Sequence, residues 1–139
     1  MNILFFLTPK SDVDYISEDA SLLKTLQKMQ ERNYSAIPIV SKSGKYIGTI
    51  QSGDILGCLK ENFSLSLADA TDFPLKNVRR TRDNKAVSAS CRMEDIFDKI
   101  LVQNFIPVVD DDDNFIGIIT RGDVIKFMHK SYVKDNPEN

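Results

Sequence analysis

Residues 115–124 read Phe-Ile-Gly-Ile-Ile-Thr-Arg-Gly-Asp-Val, and residues 46–55 repeat the pattern as Tyr-Ile-Gly-Thr-Ile-Gln-Ser-Gly-Asp-Ile. The two stretches lie 69 positions apart, and the same offset relates the apolar run 37–40 to the run 106–109. Upstream the offset becomes 71, because the second copy has lost two residues between its first helix and its first buried strand. Collinear matches of this kind indicate one structural unit written twice.

Each copy is predicted to form a β-α-β-β-α unit. A segment with apolar residues at helical spacing precedes a β-branched strand, a polar turn and a second strand that pairs with the first as a hairpin. Another helix is predicted to begin near residue 52 or 121 and to run to about Leu59 or Met128. A unit of about 55 residues cannot bury both faces of its sheet alone, so the two copies are expected to pack together. The fold class is therefore α/β (α+β), with two mixed three-stranded sheets, two helices on each, and pseudo-twofold symmetry.

The repeat also predicts the organisation of the chain. The apolar N-terminal residues are expected to pack onto the body, and the connecting segment is expected to be anchored by Leu65, Leu67 and Leu75 rather than to act as a free linker. A short polar tail is expected to fray. The predicted boundaries are 1–62 for the first repeat, 63–79 for the connecting segment, 80–131 for the second repeat and 132–139 for the tail.

Composition excludes several classes of function. Lys and Arg total 18 against 20 Asp and Glu, a formal net charge of −2, which is not the basic balance typical of proteins that bind nucleic acid polymers. No stretch approaches the roughly 20 apolar residues of a membrane helix, and no basic region precedes the apolar start. We therefore expect a cytoplasmic protein with no membrane partner. Cys58 and Cys91 are far apart and are expected to be reduced, packed thiols.

The repeated residues resemble a tandem pair of CBS domains. The most specific parts are Ser-Ala-Ile-Pro at 35–38 and the stretch 117–123, which fits the family pattern of Gly, two apolar residues, Ser or Thr, two further residues and Asp. The resemblance implies two clefts that bind AMP, ATP, related adenosyl compounds or cyclic di-AMP. It also implies a homodimer, and a role in reporting a ligand to a partner protein, here unknown. No cofactor beyond that nucleotide is implied.

The resemblance places one cleft, cleft A, at the corner where the last strand of the second copy becomes a helix. An ionised Asp only accepts hydrogen bonds and so suits ribose hydroxyls, while a Thr hydroxyl and the N–H groups of a helix start suit phosphate. Gly122 would let a ligand approach this corner. Asp14 departs from the pattern, and could either accept from the adenine amino group or be solvated. The residues of cleft A are Thr120, Arg121 and Asp123, facing Thr8, Pro9, Tyr34, Ser35, Ala36, Ile37 and Pro38.

Cleft B is the matching site at the corner of the first copy, and its pattern is less complete. Gln51 stands where the family has Thr or Ser, and the two-residue deletion alters the wall that would contact adenine. Asp54 retains the ribose acceptor, so the site is predicted to be weakened, and its occupancy is left open. The residues of cleft B are Gln51, Ser52 and Asp54, facing Asn84, Lys85, Asn104, Phe105, Ile106 and Pro107.

Other polar features have simpler interpretations. The acidic run 110–113 lacks the alternation, Gly bend and distal Glu of a calcium loop, and is predicted to be a hairpin turn. His129 has no partner at metal-ligand spacing, and no nucleophile elbow, phosphate loop or dinucleotide fingerprint occurs, so neither a metal site nor an enzyme is predicted. The basic run from Lys76 to Lys85 is either a solvated connector or a phosphate clamp at cleft B.

Three functions remain open from the sequence. The first is a regulatory sensor of AMP, ADP or ATP, in which Asp123 binds a ribose diol. The second is a cyclic di-AMP receptor, which would use Arg121 but makes less use of a diol acceptor, because cyclisation occupies the 3′ oxygens. The third is an interaction module without a ligand, in which Thr-x-x-Asp is only a helix-capping pattern.

Overall fold

The computed structural model describes residues 1–62 and 66–138. Short 3-10 helices occur at Ile3–Phe6, Lys10–Asp12 and Leu75–Asn77. The strands and α-helices are, in chain order, β1 (Thr8–Pro9), β2 (Ile16–Ser17), α1 (Leu22–Arg32), β3 (Ala36–Val40), β4 (Tyr46–Gln51), α2 (Ser52–Glu61), α3 (Leu67–Asp72), β5 (Val87–Ser88), α4 (Met93–Ile100), β6 (Phe105–Val109), β7 (Phe115–Thr120) and α5 (Arg121–Asp135).

The chain divides into two compact units, and the first is inserted in the sequence of the second. The first unit comprises Asp14–Asp83, and the second comprises Met1–Val13 together with Asn84–Asn139. The first unit contains a three-stranded sheet of order β2-β3-β4, and the second a four-stranded sheet of order β1-β7-β6-β5. In each sheet one parallel pair adjoins an antiparallel hairpin. The predicted mixed α+β fold, with the same β-α-β-β-α order in both copies, is confirmed.

The two hairpins have the same register, as the 69-residue offset predicts. Ile37 pairs with Ile50 in the first unit and Ile106 with Ile119 in the second, and all four side chains are fully buried. Complete burial of an Ile side chain contributes about 1.5–3 kcal/mol. Because a slip of one residue would turn these side chains to the opposite face, the apolar pattern determines the register.

The acidic run forms the turn of the second hairpin, as predicted. Asp113 adopts a left-handed conformation with φ 63°, at the position where the first hairpin has Gly44 with φ 87°. The Asp110 carboxylate accepts from the backbone N–H groups of Asp112 and Asn114, at 2.9 Å each. The Asp110 carboxylate therefore stabilises the turn, a local role that Asp commonly has.

The prediction of two three-stranded sheets was wrong for the second unit, where β1 adds a fourth strand. Thr8 lies opposite Ile118 and Pro9 opposite Gly117 on the edge of β7. A strand of two residues has no periodicity that sequence analysis could detect. Gly117 permits the approach, because it has φ 154° and a Cβ there would overlap the carbonyl oxygen of Thr8. The N-terminal residues thus pack onto the body, as expected, and they belong to the second unit.

Gly117→Ala is expected to lower the free energy of unfolding by about 2 kcal/mol or more, since it combines an unfavourable φ with a backbone clash. Gly53→Ala is the control, because a Cβ there meets open space on α2, and we expect it to stabilise by about 0.5–1 kcal/mol. Urea denaturation of both variants measures the difference. A Gly117→Ala protein as stable as the unchanged chain would show that β1 does not pack as described.

Two expectations about helices and anchors were also wrong. Helix α5 runs to Asp135 rather than to about Met128, because no helix-breaking residue intervenes before Asn136 and Pro137. The connecting segment contains a further helix, α3, and there Leu75 is buried while Leu67 is 73% exposed and anchors nothing. Leu65 lies outside the described residues.

The repeat boundaries at 62, 79 and 131 stay a prediction. No helix of the described residues is long and apolar enough to span a membrane.

Candidate functional site

The corner between β7 and α5 brings together the predicted residues of cleft A that lie in the second unit. Thr120 precedes the helix, and its hydroxyl oxygen accepts from the backbone N–H of Asp123 at 3.1 Å. Thr8 and Pro9 lie beside β7 through the pairing of β1. Thr120 is thus a helix cap, and its hydroxyl satisfies one of the N–H groups that a helix start leaves unpaired.

Asp123 itself has a different environment from a capping carboxylate. Its side chain is half-buried, and within residues 1–62 and 66–138 no group donates a hydrogen bond to its carboxylate or forms an ion pair with it. The capping role at this corner belongs to Thr120, so the carboxylate is not needed for it. A half-buried carboxylate without donors is available to accept from a ligand.

Asp123 lines a groove of about 360 Å³ in the second unit. On one side are the 3-10 helix residues Phe5 and Phe6 with Leu7, and on the other are Lys126, Phe127 and Lys130 of α5. Phe127 makes an edge-to-face contact with Phe6 at a ring-centroid distance of 5.2 Å. The groove therefore combines an aromatic wall, one carboxylate and two ammonium groups.

Sequence analysis missed the two lysines and the aromatic wall. A signal was present for the lysines, because Asp123, Lys126 and Lys130 follow at spacings of three and four, which places them on one helix face. No local signal existed for Phe5 and Phe6, since their proximity depends on β1 docking against β7.

Arg121 is held by the end of the preceding helix. Its Nε donates to the carbonyl oxygen of Ile100 at 3.0 Å, and its backbone N–H donates to the carbonyl oxygen of Asn104 at 3.0 Å. The last carbonyls of a helix lack partners in the helix and carry partial negative charge, so they favour a guanidinium group. The contact orients Arg121 and leaves its remaining N–H groups for other acceptors.

At the matching corner of the first unit, the β4–α2 junction, the chain itself supplies donors to the carboxylate, beside a groove of about 320 Å³ lined by Asp54 and Thr81. Asp54 is only 3% exposed, and its Oδ2 accepts from the backbone N–H of Gln51 at 3.0 Å. Its Oδ1 accepts from both the backbone N–H of Thr81, at 3.0 Å, and the Thr81 hydroxyl, at 2.9 Å. Gln51, which departs from the family pattern, donates from its amide Nε2 to the carbonyl oxygen of Arg82 at 3.2 Å.

The cleft A residues of the first unit have their own internal contacts. The Tyr34 hydroxyl donates to Asp14 at 3.0 Å, and this hydrogen bond, with burial and the Asp14 charge, raises the pKa of the phenol. Asp14 also pairs with Arg32 at 3.7 Å, so its carboxylate is not simply solvated. The Ser35 carbonyl accepts from the backbone N–H of Ser52 at 2.9 Å. Ala36, Ile37 and Pro38 lie in β3, where Ile37 is fully buried in the core of the first unit.

The cleft B residues of the second unit are largely engaged with one another. Buried Asn84 donates from Nδ2 to the carbonyl oxygen of Phe105 at 3.1 Å and to the Asn104 side chain at 3.3 Å. The backbone N–H of Lys85 donates to buried Gln103, a residue that sequence analysis did not single out. Ile106 and Pro107 are buried in β6. The assembly of either cleft from both units stays a prediction.

No metal centre or reactive thiol accompanies these corners. The part of the chain that the structure describes has no group of three or more His, Cys, Asp or Glu placed to hold a metal ion. Both cysteines are free thiols. Burial raises the pKa of Cys58 and of Cys91, which lowers the thiolate fraction at neutral pH and so makes them poor nucleophiles.

Comparison with known proteins identifies the family. A family model described as the CBS domain matches residues 6–61 and 75–130. An uncharacterized protein of Methanocaldococcus jannaschii is 31% identical over 142 residues, an alignment that covers 81% of this chain and 84% of the relative. The chain therefore belongs to the CBS domain family and is a tandem pair, which confirms the resemblance seen in the sequence.

Solved structures show the same fold. A CbpB protein in complex with c-di-AMP has a TM-score of 0.86 at 22% identity, covering 100% of this chain and 91% of that one. A CBSX2 protein in complex with AMP has a TM-score of 0.75 at 21% identity, covering 94% of this chain and 98% of that one. Other curated relatives are longer, and the chain spans between 20% and 61% of their length.

Proposed function

We propose that this chain is a regulatory, non-catalytic module that binds an adenine nucleotide at the corner formed by Thr120, Arg121 and Asp123. The observation that carries the proposal is the Asp123 carboxylate, which is half-buried and receives no hydrogen bond from the described residues. Two adjacent ribose hydroxyls are the donors such a carboxylate suits, and each charge-assisted hydrogen bond contributes about 1.5–3 kcal/mol.

The groove beside Asp123 supports a phosphorylated ligand. Lys126 and Lys130 lie one turn apart on its wall and can contact phosphate oxygens as point charges. Thr8, Pro9 and Arg121 lie at the same corner, and Tyr34, Ser35, Ala36, Ile37 and Pro38 would supply the remaining wall if cleft A forms as the family resemblance implies. CBSX2, a protein of the same fold, is known in complex with AMP.

A cyclic di-AMP receptor is the second candidate, because CbpB, which shares the fold, is known in complex with that ligand. The two ligands differ chemically at the ribose. AMP offers a free 2′,3′-diol to Asp123, whereas cyclisation removes the 3′ hydroxyl. An interaction module without any ligand remains the third, and there Asp123 would only be part of a solvated helix start.

The test is a calorimetric titration with AMP, ADP, ATP, 2′-deoxy-AMP and cyclic di-AMP. If Asp123 accepts from the diol, 2′-deoxy-AMP should bind about ten-fold or more weakly than AMP, since one charge-assisted hydrogen bond is lost. A ligand that binds only the native state also raises its melting temperature, which gives an independent readout. Equal affinity for AMP and its 2′-deoxy analogue would contradict the role of Asp123, and tighter binding of cyclic di-AMP would favour the second candidate.

We further propose a homodimer through the exposed apolar face of α5. Val124 on α5 and Ile55 on α2 are buried in the cores of their units and so are not part of that face. Ile125, Met128 and Tyr132 are 53%, 49% and 58% exposed and follow the i, i+3, i+7 spacing of one helix face. Leu56 on α2 is 66% exposed as well. Such faces on soluble proteins are commonly covered by a partner.

Sedimentation velocity at micromolar concentration is expected to show a dimer that Met128→Glu converts to monomer, because a charge would be buried without a partner. Leu67→Glu is the matched control, since Leu67 is 73% exposed and lies on α3 rather than on α5. A monomeric unchanged chain, or an equal effect of both substitutions, would contradict the interface. An effector protein that reads the nucleotide state, and a cytoplasmic location, stay predictions.

A further inference from the structure

The carboxylate of Asp54 already has the partners that a ribose diol would supply. Oδ1 receives two donors from one residue, the N–H and the O–H of Thr81, and Oδ2 receives the backbone N–H of Gln51. Each carboxylate oxygen has two favourable acceptor positions, so both positions on Oδ1 are occupied. A groove of about 320 Å³ lies beside Asp54 and Thr81, but Asp54 is only 3% exposed, so a nucleotide in that groove would have to displace Thr81 to bind Oδ1.

Thr81 is held in place by its neighbours on both sides. Gln51 donates to the carbonyl oxygen of Arg82 at 3.2 Å. Asp83 accepts from the backbone N–H of Thr49 at 2.9 Å, and it pairs with Arg80 at 2.8 Å. Arg82 and Asp83 are therefore fastened to β4, and Thr81 between Arg80 and Arg82 is bonded to Asp54 at the start of α2.

Gly48 makes this approach possible. A Cβ at Gly48 would overlap the side-chain ends of Asp83 and Arg80, so glycine leaves room for these two side chains against β4. The matching position in the second unit is Gly117, where β1 takes the equivalent place through Thr8 and Pro9. Each sheet edge is thus covered by a short segment, residues 80–83 in the first unit and β1 in the second.

The two corners differ in what the covering segment does to the carboxylate. Thr81 donates twice to Asp54, whereas neither Thr8 nor any other group in the described ranges donates to Asp123. The carboxylates are equivalent in sequence, at an offset of 69, yet one is satisfied internally and the other is open.

We propose that Thr81 occupies the acceptor positions of the Asp54 carboxylate in the first repeat. It thereby keeps a nucleotide from binding at that carboxylate. The chain then binds one nucleotide, at Asp123, and Thr81 is the residue that determines this stoichiometry. This proposal rests on the proposed function. It predicts that cleft B, whose occupancy the sequence left open, binds no nucleotide. Asp54 is then a positioning residue for the segment 80–83.

The experiment compares Thr81→Gly, which removes the hydroxyl and the bulk of the side chain, with Thr81→Ser, which keeps the hydroxyl. Equilibrium dialysis with labelled AMP at saturation is expected to give one nucleotide per chain for the unchanged protein and for Thr81→Ser. Thr81→Gly is expected to give two. Two equivalents on the unchanged chain, or one on a folded Thr81→Gly chain, would overturn the proposal.

A second measurement guards against loss of folding in Thr81→Gly and separates this proposal from the proposed function. On the otherwise unchanged chain, Asp54→Asn should alter AMP affinity by less than about two-fold, while Asp123→Asn should lower it at least ten-fold. If Asp54→Asn lowers the affinity as much as Asp123→Asn, the closed corner is wrong and the function stands. If the unchanged chain binds none of the adenine nucleotides, the proposed function is wrong, and the claim that one open site remains is wrong with it.

Discussion

Asp123→Ala is expected to weaken AMP binding about thirty-fold or more. The substitution removes the acceptor for two ribose hydroxyls, whose charge-assisted hydrogen bonds together contribute about 2 kcal/mol or more, and each 1.4 kcal/mol corresponds to a factor of ten in affinity. Isothermal titration calorimetry on the unchanged and substituted chains measures the change directly.

The stability of the same variant is the internal control. The cap of α5 is the hydrogen bond from the Asp123 backbone N–H to the Thr120 hydroxyl, which alanine retains. The melting temperature of Asp123→Ala without ligand should therefore stay close to that of the unchanged chain. A large drop in stability with unchanged affinity would assign Asp123 to the fold and contradict a role in binding.

Asp54→Ala, unlike Asp123→Ala, should destabilise the fold. We expect its free energy of unfolding to be lower by about 3 kcal/mol or more. The substitution leaves the N–H and O–H of Thr81 and the N–H of Gln51 without their acceptor, and each buried donor left unpaired costs about 1–3 kcal/mol. Urea denaturation followed by circular dichroism measures the loss.

Asp69→Ala is the matched control for Asp54→Ala. Asp69 also accepts a backbone N–H at a helix start, that of Ser66 at 2.9 Å, but it is exposed and has no partner distant in sequence among residues 1–62 and 66–138. Its loss should cost about 0.5–2 kcal/mol, the usual range for a capping interaction. If the two substitutions prove equally costly, the contact between Asp54 and Thr81 contributes nothing to stability.

The hairpins and the corners that follow them were predictable because their causes are local. The alternation of apolar residues determines the register of Ile37 against Ile50 and of Ile106 against Ile119. The turn positions Gly44 and Asp113 have residue types that tolerate positive φ. The Thr-x-x-Asp spacing at Thr120 likewise indicates the start of α5, where the structure places it.

The placement of β1 and the hydrogen bonds between Thr81 and Asp54 were not predictable, because both depend on distant segments. Thr8 lies opposite Ile118, 110 positions away, and the contact between Thr81 and Asp54 spans 27. Gln51 was interpreted as a weakened ligand contact, yet its amide binds the carbonyl oxygen of Arg82. The groove that joins Asp123 to Phe5 and Phe6 depends on the same docking of β1.

By itself, the sequence determined the repeat, the β-α-β-β-α order of both copies and the family, because these follow from periodicity, turn chemistry and a spacing of a few residues. It also placed an equivalent carboxylate at the start of a helix in each copy, at Asp54 and at Asp123. Only the tertiary structure decided that these two are not equivalent. The hydrogen-bond partners of a carboxylate are set by which remote segment folds against it, so Thr81 satisfies Asp54 while Asp123 stays open to a ligand.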